Sequence, residues 1–393
     1  MRKLICAAAI LALAAGCGGP GGGGNGTDDK QDIVIGLIAD LTGATADVGK
    51  PTNEGMLAYI DDVNAKGGVD GHKIKALSED YAYKVPVAEE KYKKFVAEGA
   101  AAIMGWGTGD SEALRSKVKD DQLPFMSASY AEVLTDPKQS PYNFVVAPTY
   151  SDQLRVVLDY LAGQDPAAQV AMFHHDSPFG TAPLADGEKW IKDKGYQLGF
   201  KPYPMKAGAT DHVGILQQAK AQGVKYVVIQ NVSSPAAVVA KDIAAQKLDM
   251  RIVCLNWCSD ELFIKIAGPA AENHLMLQPF APPSVAKPGH QPIRDYCQTK
   301  GLDLDAKGLH FVQGWYTMHA MVKGIEKALA DGKELTGPTI RTALETMPAL
   351  DTGGVIGPIK FTADSHRGAT ASSLYRVSGG KFTEVVANTV PKA

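Results

Sequence analysis

Residues 33–71 read IVIGLIADLTGATADVGKPTNEGMLAYIDDVNAKGGVDG and hold one full alternation of strand and helix. Ile33 to Ala39 is a short apolar run, as expected of a strand covered on both faces. After Pro51, the side chains of Met56, Leu57, Ile60 and Val63 recur at the spacing of one helix face. Gly67-Gly68 then ends the helix, because glycine accepts the left-handed backbone that closes a last turn.

The same rhythm runs outward from this unit. Strands are expected at 73–77, 101–104, 125–127 and 144–147, with helices at 85–97 and 111–120 between them. It restarts after Pro148, with helices at 151–162, 182–194, 211–222 and 235–246 preceding strands at 169–173, 197–201, 226–230 and 251–255. Alternating β and α units predict parallel sheets covered by helices on both faces, hence an α/β fold. The folded part, about 360 of 393 residues, exceeds one average core and suggests two domains. A Pro-rich loop spans 279–292. Beyond it, Phe311, Trp315, Met318, Val322, Ile325 and Leu329 form one apolar stripe of a long helix. Trp and Met in such a stripe can mark a cofactor site, but this spacing reads as core.

The N-terminus carries an export signal. Arg2 and Lys3 precede an uncharged, mostly apolar run from Leu4 to Ala15, too short to span a bilayer but suited to a signal peptide. It ends in Leu13-Ala14-Ala15-Gly16-Cys17, which resembles a lipobox, so residues 1–16 are expected to be removed and Cys17 to be lipidated. Two or more acyl chains there anchor stably. Residues 17–30 form a Gly-rich tether without apolar side chains to bury. The expected location is extracytoplasmic, held at a membrane surface through the lipid on Cys17.

Removing Arg2 and Lys3 moves the formal charge from −3 to −5. A mildly acidic chain argues against nucleic acid, which needs concentrated basic residues. Catalytic patterns are missing: there is no GxSxG elbow and no Walker loop. His174-His175-Asp176 lacks a third ligand at a useful spacing, and neighbours in extended chain face opposite ways, so no metal and no cofactor is expected. Cys254 and Cys258 fit no common zinc pattern and no C-x-x-C motif. They can form a disulfide only if the chain coils there, since four extended residues span roughly 13 Å. Cys297 could replace either partner, and the odd count leaves a thiol over.

Several segments together resemble the type I periplasmic binding proteins of the leucine/isoleucine/valine-binding family, the solute receptors of ABC importers. They are Ile35-Gly36-Leu37 with Leu41-Thr42-Gly43, the run from Asp61 to Gly71, Asp176 to Gly180, Thr210-Asp211, Gly357 to Phe361 and His366-Arg367-Gly368. The resemblance covers nearly all of the chain beyond the tether. It implies two Rossmann-like lobes joined by three hinge crossovers: 31–148 plus 279–353 as lobe one, and 149–278 plus 354–393 as lobe two. It also implies a ligand between the lobes, at the carboxyl ends of the strands, where open α/β sheets bind small molecules.

By this resemblance, two loops of lobe one hold the ligand's polar end. The first contains Trp106, Thr108 and Gly109, and the helix after it opens at about Asp110 or Ser111 with its positive end toward the cleft. Asp110 or Ser111 also suits a plain N-cap. Family members often carry serines at Thr108 and Gly109, so backbone contacts are expected to dominate here. The second loop offers Ser127, Ser129 and Tyr130. Lobe two would add Phe179, which stacks but donates no hydrogen bond, with Asn231, Asn256 and Trp257. Relatives that bind α-amino acids often offer an acid near Asn256, and some carry an aromatic residue where this chain has Val48. The ligand expected is therefore a small carboxylate, an amino acid or an acid with an apolar or aromatic body. ABC permease subunits are the implied protein partners of a monomer that is not an enzyme. A ligand-sensing module for a membrane receptor and an exported enzyme on the same scaffold are the alternatives.

Overall fold

A computed structural model describes residues 30–393; Cys17 and the Gly-rich run lie outside the described residues. Two sheets form the frame. The first contains β1 (Ile33–Ala39), β2 (Ile74–Asp80), β3 (Ala102–Gly105), β4 (Phe125–Ser127) and β5 (Asn143–Phe144), in the order β2-β1-β3-β4-β5 and parallel throughout. The second contains β6 (Gln169–His175), β7 (Gly199–Met205), β8 (Val224–Gln230), β9 (Arg251–Cys254), β10 (Leu275–Gln278), β11 (Ser372–Ser378) and β12 (Lys381–Thr389), in the order β12-β11-β10-β9-β8-β6-β7. In each sheet the strand order reverses once, between β1 and β3 and between β6 and β8. Such switch points leave a crevice at the carboxyl ends of the strands.

The α/β reading holds, with an added antiparallel edge. β11 runs antiparallel to β10, and β12 folds back on β11 through Gly379-Gly380, whose φ values are +59° and +70°. Two consecutive left-handed positions are what a tight hairpin requires. The helix expected after Pro51 begins earlier, at Ala46, and contains the proline in its second turn.

The stripe from Phe311 to Ile325 is core, as its spacing predicts: Phe311, Trp315, Met318, Val322 and Ile325 are all buried. Burying such a side chain is worth about 1.5–3 kcal/mol. Helix Leu309–Ala330 lies directly against helix Ala46–Ala65. A Cβ at Gly314 would stand 1.9 Å from the Thr52 carbonyl oxygen, and one at Gly55 2.0 Å from that of Phe311. Only glycines allow this approach.

Three crossovers join the lobes, but the last is displaced from the expected position at 353–354. Val355, Ile356, Ile359, Phe361 and Ala369 pack into the core of the first sheet, and Arg367 pairs with Val145 beside β5. The His366 ring stacks on Phe144, with centroids 4.0 Å apart. The chain doubles back through the Leu350–Ile359 bridge and joins the second sheet only at Ser372.

The Cys254–Cys258 bridge is not formed. The chain does coil there, as the 3-10 turn Asn256–Cys258, but both cysteines and Cys297 are free and buried. The Cys258 thiol instead donates to the carbonyls of Ile229 and Leu255.

Candidate functional site

The carboxyl-end loops of both sheets converge on a small cavity of about 20 Å³ between the lobes. Lobe one contributes Thr45 and Val48 after β1, Tyr83 after β2, Trp106, Gly107 and Thr108 after β3, and Ala128 after β4. Lobe two contributes Tyr150 just past the first crossover, Phe179 after β6, Val232 after β8 and Trp257 after β9.

Of the residues expected from sequence, Trp106, Thr108, Phe179 and Trp257 line this pocket. The others do not. Gly109 sits at the seam, where a Cβ would meet Val85 of lobe one and Pro178 of lobe two. Ser127 and Ser129 lie one layer behind, and buried Tyr130 backs Trp257 at 5.6 Å and 25°. Asn231 turns inward, with its carboxamide on the Val232 amide and the Met205 sulfur. Asn256 is fully buried and accepts from Gln313. Tyr83 and Tyr150 were not among the expected residues.

Helix Thr108–Asp120 starts earlier than expected, with Gly107 as its N-cap. The Asp110 carboxylate accepts from the Gly107 amide at 3.1 Å and from the Tyr81 hydroxyl at 2.9 Å. Burial pushes the Asp110 carboxyl up to about 7. Gly107 and Thr108 thus present a helix's positive end to the pocket, a place suited to an anionic group.

Neutral hydroxyls support this wall. Ser111 and Ser127 share a 2.7 Å hydrogen bond, the Ser129 amide donates to Ser127, and Ser129 pairs with the Thr108 hydroxyl at 2.7 Å. The Tyr150 hydroxyl continues the chain beside Thr108 and Ser129 and accepts the Trp257 indole N–H at 3.0 Å. The Trp106 indole N–H donates to Thr45 at 2.8 Å, and the Thr45 hydroxyl donates to Asp40. Both tryptophans therefore bury their one polar atom with a partner, which a buried indole needs.

Tyr83 arrives by a strained loop. Ala82 and Tyr83 have φ of +51° and +56°. Non-glycine residues held in this region cost about 1–3 kcal/mol each. Asp80 holds the turn by accepting from the amides of Leu41 and Ala82 and from the Thr42 hydroxyl. The loop carries the Tyr83 ring across to His175 of lobe two, with centroids 5.7 Å apart.

A second interlobe region lies beside the pocket and is ionic. Asp260 caps helix Glu261–Ala267 through the Phe263 amide and accepts from Ser233 and from His310 Nε2, the last at 2.7 Å across the seam. His310 Nδ1 faces the Gln313 side-chain oxygen. Glu261 accepts from the Leu309 amide at 3.0 Å, and Asp47 from the Ser234 amide at 3.0 Å. Burial alone would lower the His310 pKa, but the Asp260 carboxylate outweighs it and holds the imidazole above its usual range. The His310 ring also stacks on Trp257 at 5.3 Å and 21°, so the seam and the pocket share a wall.

Among the described residues no cluster of His, Cys, Asp or Glu is placed to hold a metal, and no helix is long and apolar enough to cross a membrane. His174 and His175 bond locally, to the His175 carbonyl and to Ser177.

Comparison with known proteins agrees with this geometry. Residues 32–381 match the family model described as "Periplasmic binding protein". The chain is 24% identical over 370 residues to a Leu/Ile/Val-binding protein homolog of Brucella abortus, covering 92% of each. It is 22% identical over 352 residues to the leucine-, isoleucine-, valine-, threonine- and alanine-binding protein of Pseudomonas aeruginosa, covering 87% of this chain and 92% of that one. Among solved structures, a branched-chain amino acid ABC transporter protein from Thermus thermophilus with bound valine superposes with a TM-score of 0.87 at 25% identity, covering 92% of this chain and 97% of that one. A fatty acid ABC transporter substrate-binding protein from Thermomonospora curvata has the same fold, with a TM-score of 0.80 at 21% identity and 92% of each chain covered. With two α/β lobes whose strand-end loops meet over a shared pocket and a family model spanning nearly all the described residues, the chain belongs to the periplasmic binding protein family, of the type that includes the leucine/isoleucine/valine-binding proteins.

Proposed function

We propose that this chain is the solute receptor of an ABC importer, anchored outside the cytoplasm by lipid on Cys17, and that it closes its two lobes on a small carboxylate. One observation carries the reading: loops from the carboxyl ends of both sheets wall a pocket that belongs to neither lobe alone. A ligand there touches both lobes and favours the closed state by its differential affinity for it. Gly107 and Thr108, at the start of their helix, are the place for the carboxylate. Relatives named as binding proteins for amino acids, and one for a fatty acid, support transport of a carboxylate.

Mass spectrometry of small molecules released from the purified protein, followed by thermal denaturation with each one added back, tests this. A carboxylate that raises the melting temperature is expected. Stabilisation by sugars or peptides alone would refute the carboxylate. Replacing Cys17→Ala should move the protein from membranes to the soluble fraction, and unchanged membrane association would refute the anchor.

A further inference from the structure

Three carboxyl groups and one imidazole meet across the seam. Asp47 and His310 belong to lobe one, Asp260 and Glu261 to lobe two. Each makes a contact from one lobe to the other: His310 Nε2 with Asp260 at 2.7 Å, Asp47 with the Ser234 amide at 3.0 Å, and Glu261 with the Leu309 amide at 3.0 Å. Asp260 and His310 are fully buried there. The second Glu261 oxygen, Oε1, is buried with no partner.

This arrangement asks for protons when the lobes shut. Both ring nitrogens of His310 face oxygen atoms, Nε2 that of Asp260 and Nδ1 that of the Gln313 side chain, whose own Nε2 donates to Asn256. A neutral imidazole has one N–H, and only the imidazolium satisfies both acceptors. With a neutral ring, closing would also take three carboxylates out of water against no cation, a cost relieved by protonation. Glu261 and Asp47 act in the same direction: burial pushes both carboxyls up, and the Asp260 charge adds to it. For His310, burial works downward and the Asp260 carboxylate outweighs it.

Opening returns all three groups to water, so the shut form holds protons more tightly. The share from His310 is fully present below the ordinary imidazole value of about 6.5 and is lost as pH rises through the shut-form value. The carboxyl share is fully present below about 4 and is lost in the same way as pH rises. The other charges nearby are engaged or exposed. Lys307 pairs with Glu54 and Asp305 with Arg294, while Lys265 and Lys381 stand exposed at the mouth of the cavity, where their charges are screened. His175, beside Tyr83 across the pocket, works against the trend because burial holds it down.

Resting on the receptor reading above, we propose that the seam is a proton-linked latch: shutting the lobes takes up protons at His310, Glu261 and Asp47, so a ligand trapped between them is held more tightly in acidic than in neutral surroundings. The linkage is reciprocal, so trapping the ligand also draws protons in.

Single-molecule fluorescence energy transfer on the ligand-free protein tests this. Dyes are attached through Lys75→Cys of lobe one and Lys220→Cys of lobe two, exposed positions outside the seam, in a chain carrying Cys6→Ala and Cys17→Ala; Cys254, Cys258 and Cys297 are buried. The expected result is two populations, open and shut, with the ratio of shut to open rising at least about threefold from about pH 8 to about pH 5.5. The rise should be smaller in His310→Gln and in Glu261→Gln, smallest in the double variant, and retained in Asp305→Asn. Both glutamines can keep the bonds to Asp260 and to the Leu309 amide, so a change of slope reports the proton and not a lost contact. Two populations whose ratio ignores pH, or an undiminished rise in the double variant, would overturn the latch and leave the hinged receptor standing. A single distance at every pH would overturn the closing of the lobes as well.

Discussion

The two lobes meet in two adjoining regions of opposite chemistry. The pocket is built from neutral groups, a hydroxyl chain through Ser129, Thr108 and Tyr150 and rings from both lobes. The seam beside it is ionic, with His310 of lobe one bound to Asp260 of lobe two and Glu261 bound to the Leu309 amide. Trp257 belongs to both, lining the pocket with His310 stacked against its ring. The difference separates two tasks. The pocket's lining carries no charged side chain, but the Asp110 carboxyl that holds the Gly107 amide is raised by burial to about 7, so the place for the anion also responds to pH. A buried ionic seam makes the strength of closure depend on protonation.

The largest effect should come from breaking the seam. Asp260→Ala removes a helix cap and strands His310 as a buried, unpaired group, a loss of about 3–5 kcal/mol. Chemical denaturation measures it, and a loss under about 1 kcal/mol would mean that the pair is not closed in solution. The order of ligand preference should survive this substitution. A smaller loss is expected in the pocket. Tyr150→Phe leaves the Trp257 indole N–H buried without a partner, at a cost of about 1–3 kcal/mol in the same experiment. Smaller again is Thr108→Val, which removes one neutral hydrogen bond to Ser129, worth about 0.5–1.5 kcal/mol. Its effect should be the same at acidic and neutral pH, and a pH-dependent effect would erase the contrast between the regions.

The last prediction is a slope. The His310 pKa is higher in the folded protein than in the unfolded chain. Its contribution is therefore fully present below the unfolded value and is lost as pH rises through the folded one. Melting temperature against pH, compared between the parent and His310→Gln, isolates this group from the opposing histidines. His175, His274 and His319 are held below their usual range by burial and destabilise the fold as pH falls. The stability difference between parent and variant should shrink as pH rises. A constant difference would show that His310 carries no charge in the seam.

Much of the fold was legible because strands and helices leave different apolar periods. IVIGLIA and the stripe from Phe311 to Ile325 each point to one structure. The third crossover was not legible, since the apolar residues from Val355 to Phe361 can cover either sheet, and only the Leu350–Ile359 bridge turns them back. In the site, loops could be found but not the direction of their side chains. Trp106 and Trp257 turn into the pocket, whereas Asn231 and Asn256, in equivalent loops, turn inward. Tyr83 owes its place to left-handed backbone at two non-glycine residues, which no pattern signals. Tyr150 sits on a crossover whose path depends on the whole fold.

A crystal structure of the protein with the carboxylate that copurifies with it tests the central claim, that the neutral interlobe pocket is where the ligand is read. The expected result is a ligand touching both lobes, with Trp106 and Trp257 against its body and its carboxylate within hydrogen-bond distance of the Thr108 amide or hydroxyl. A ligand seated instead in the ionic cavity beside Asp47, Glu261 and His310, or lobes closed around an empty aromatic pocket, would contradict it.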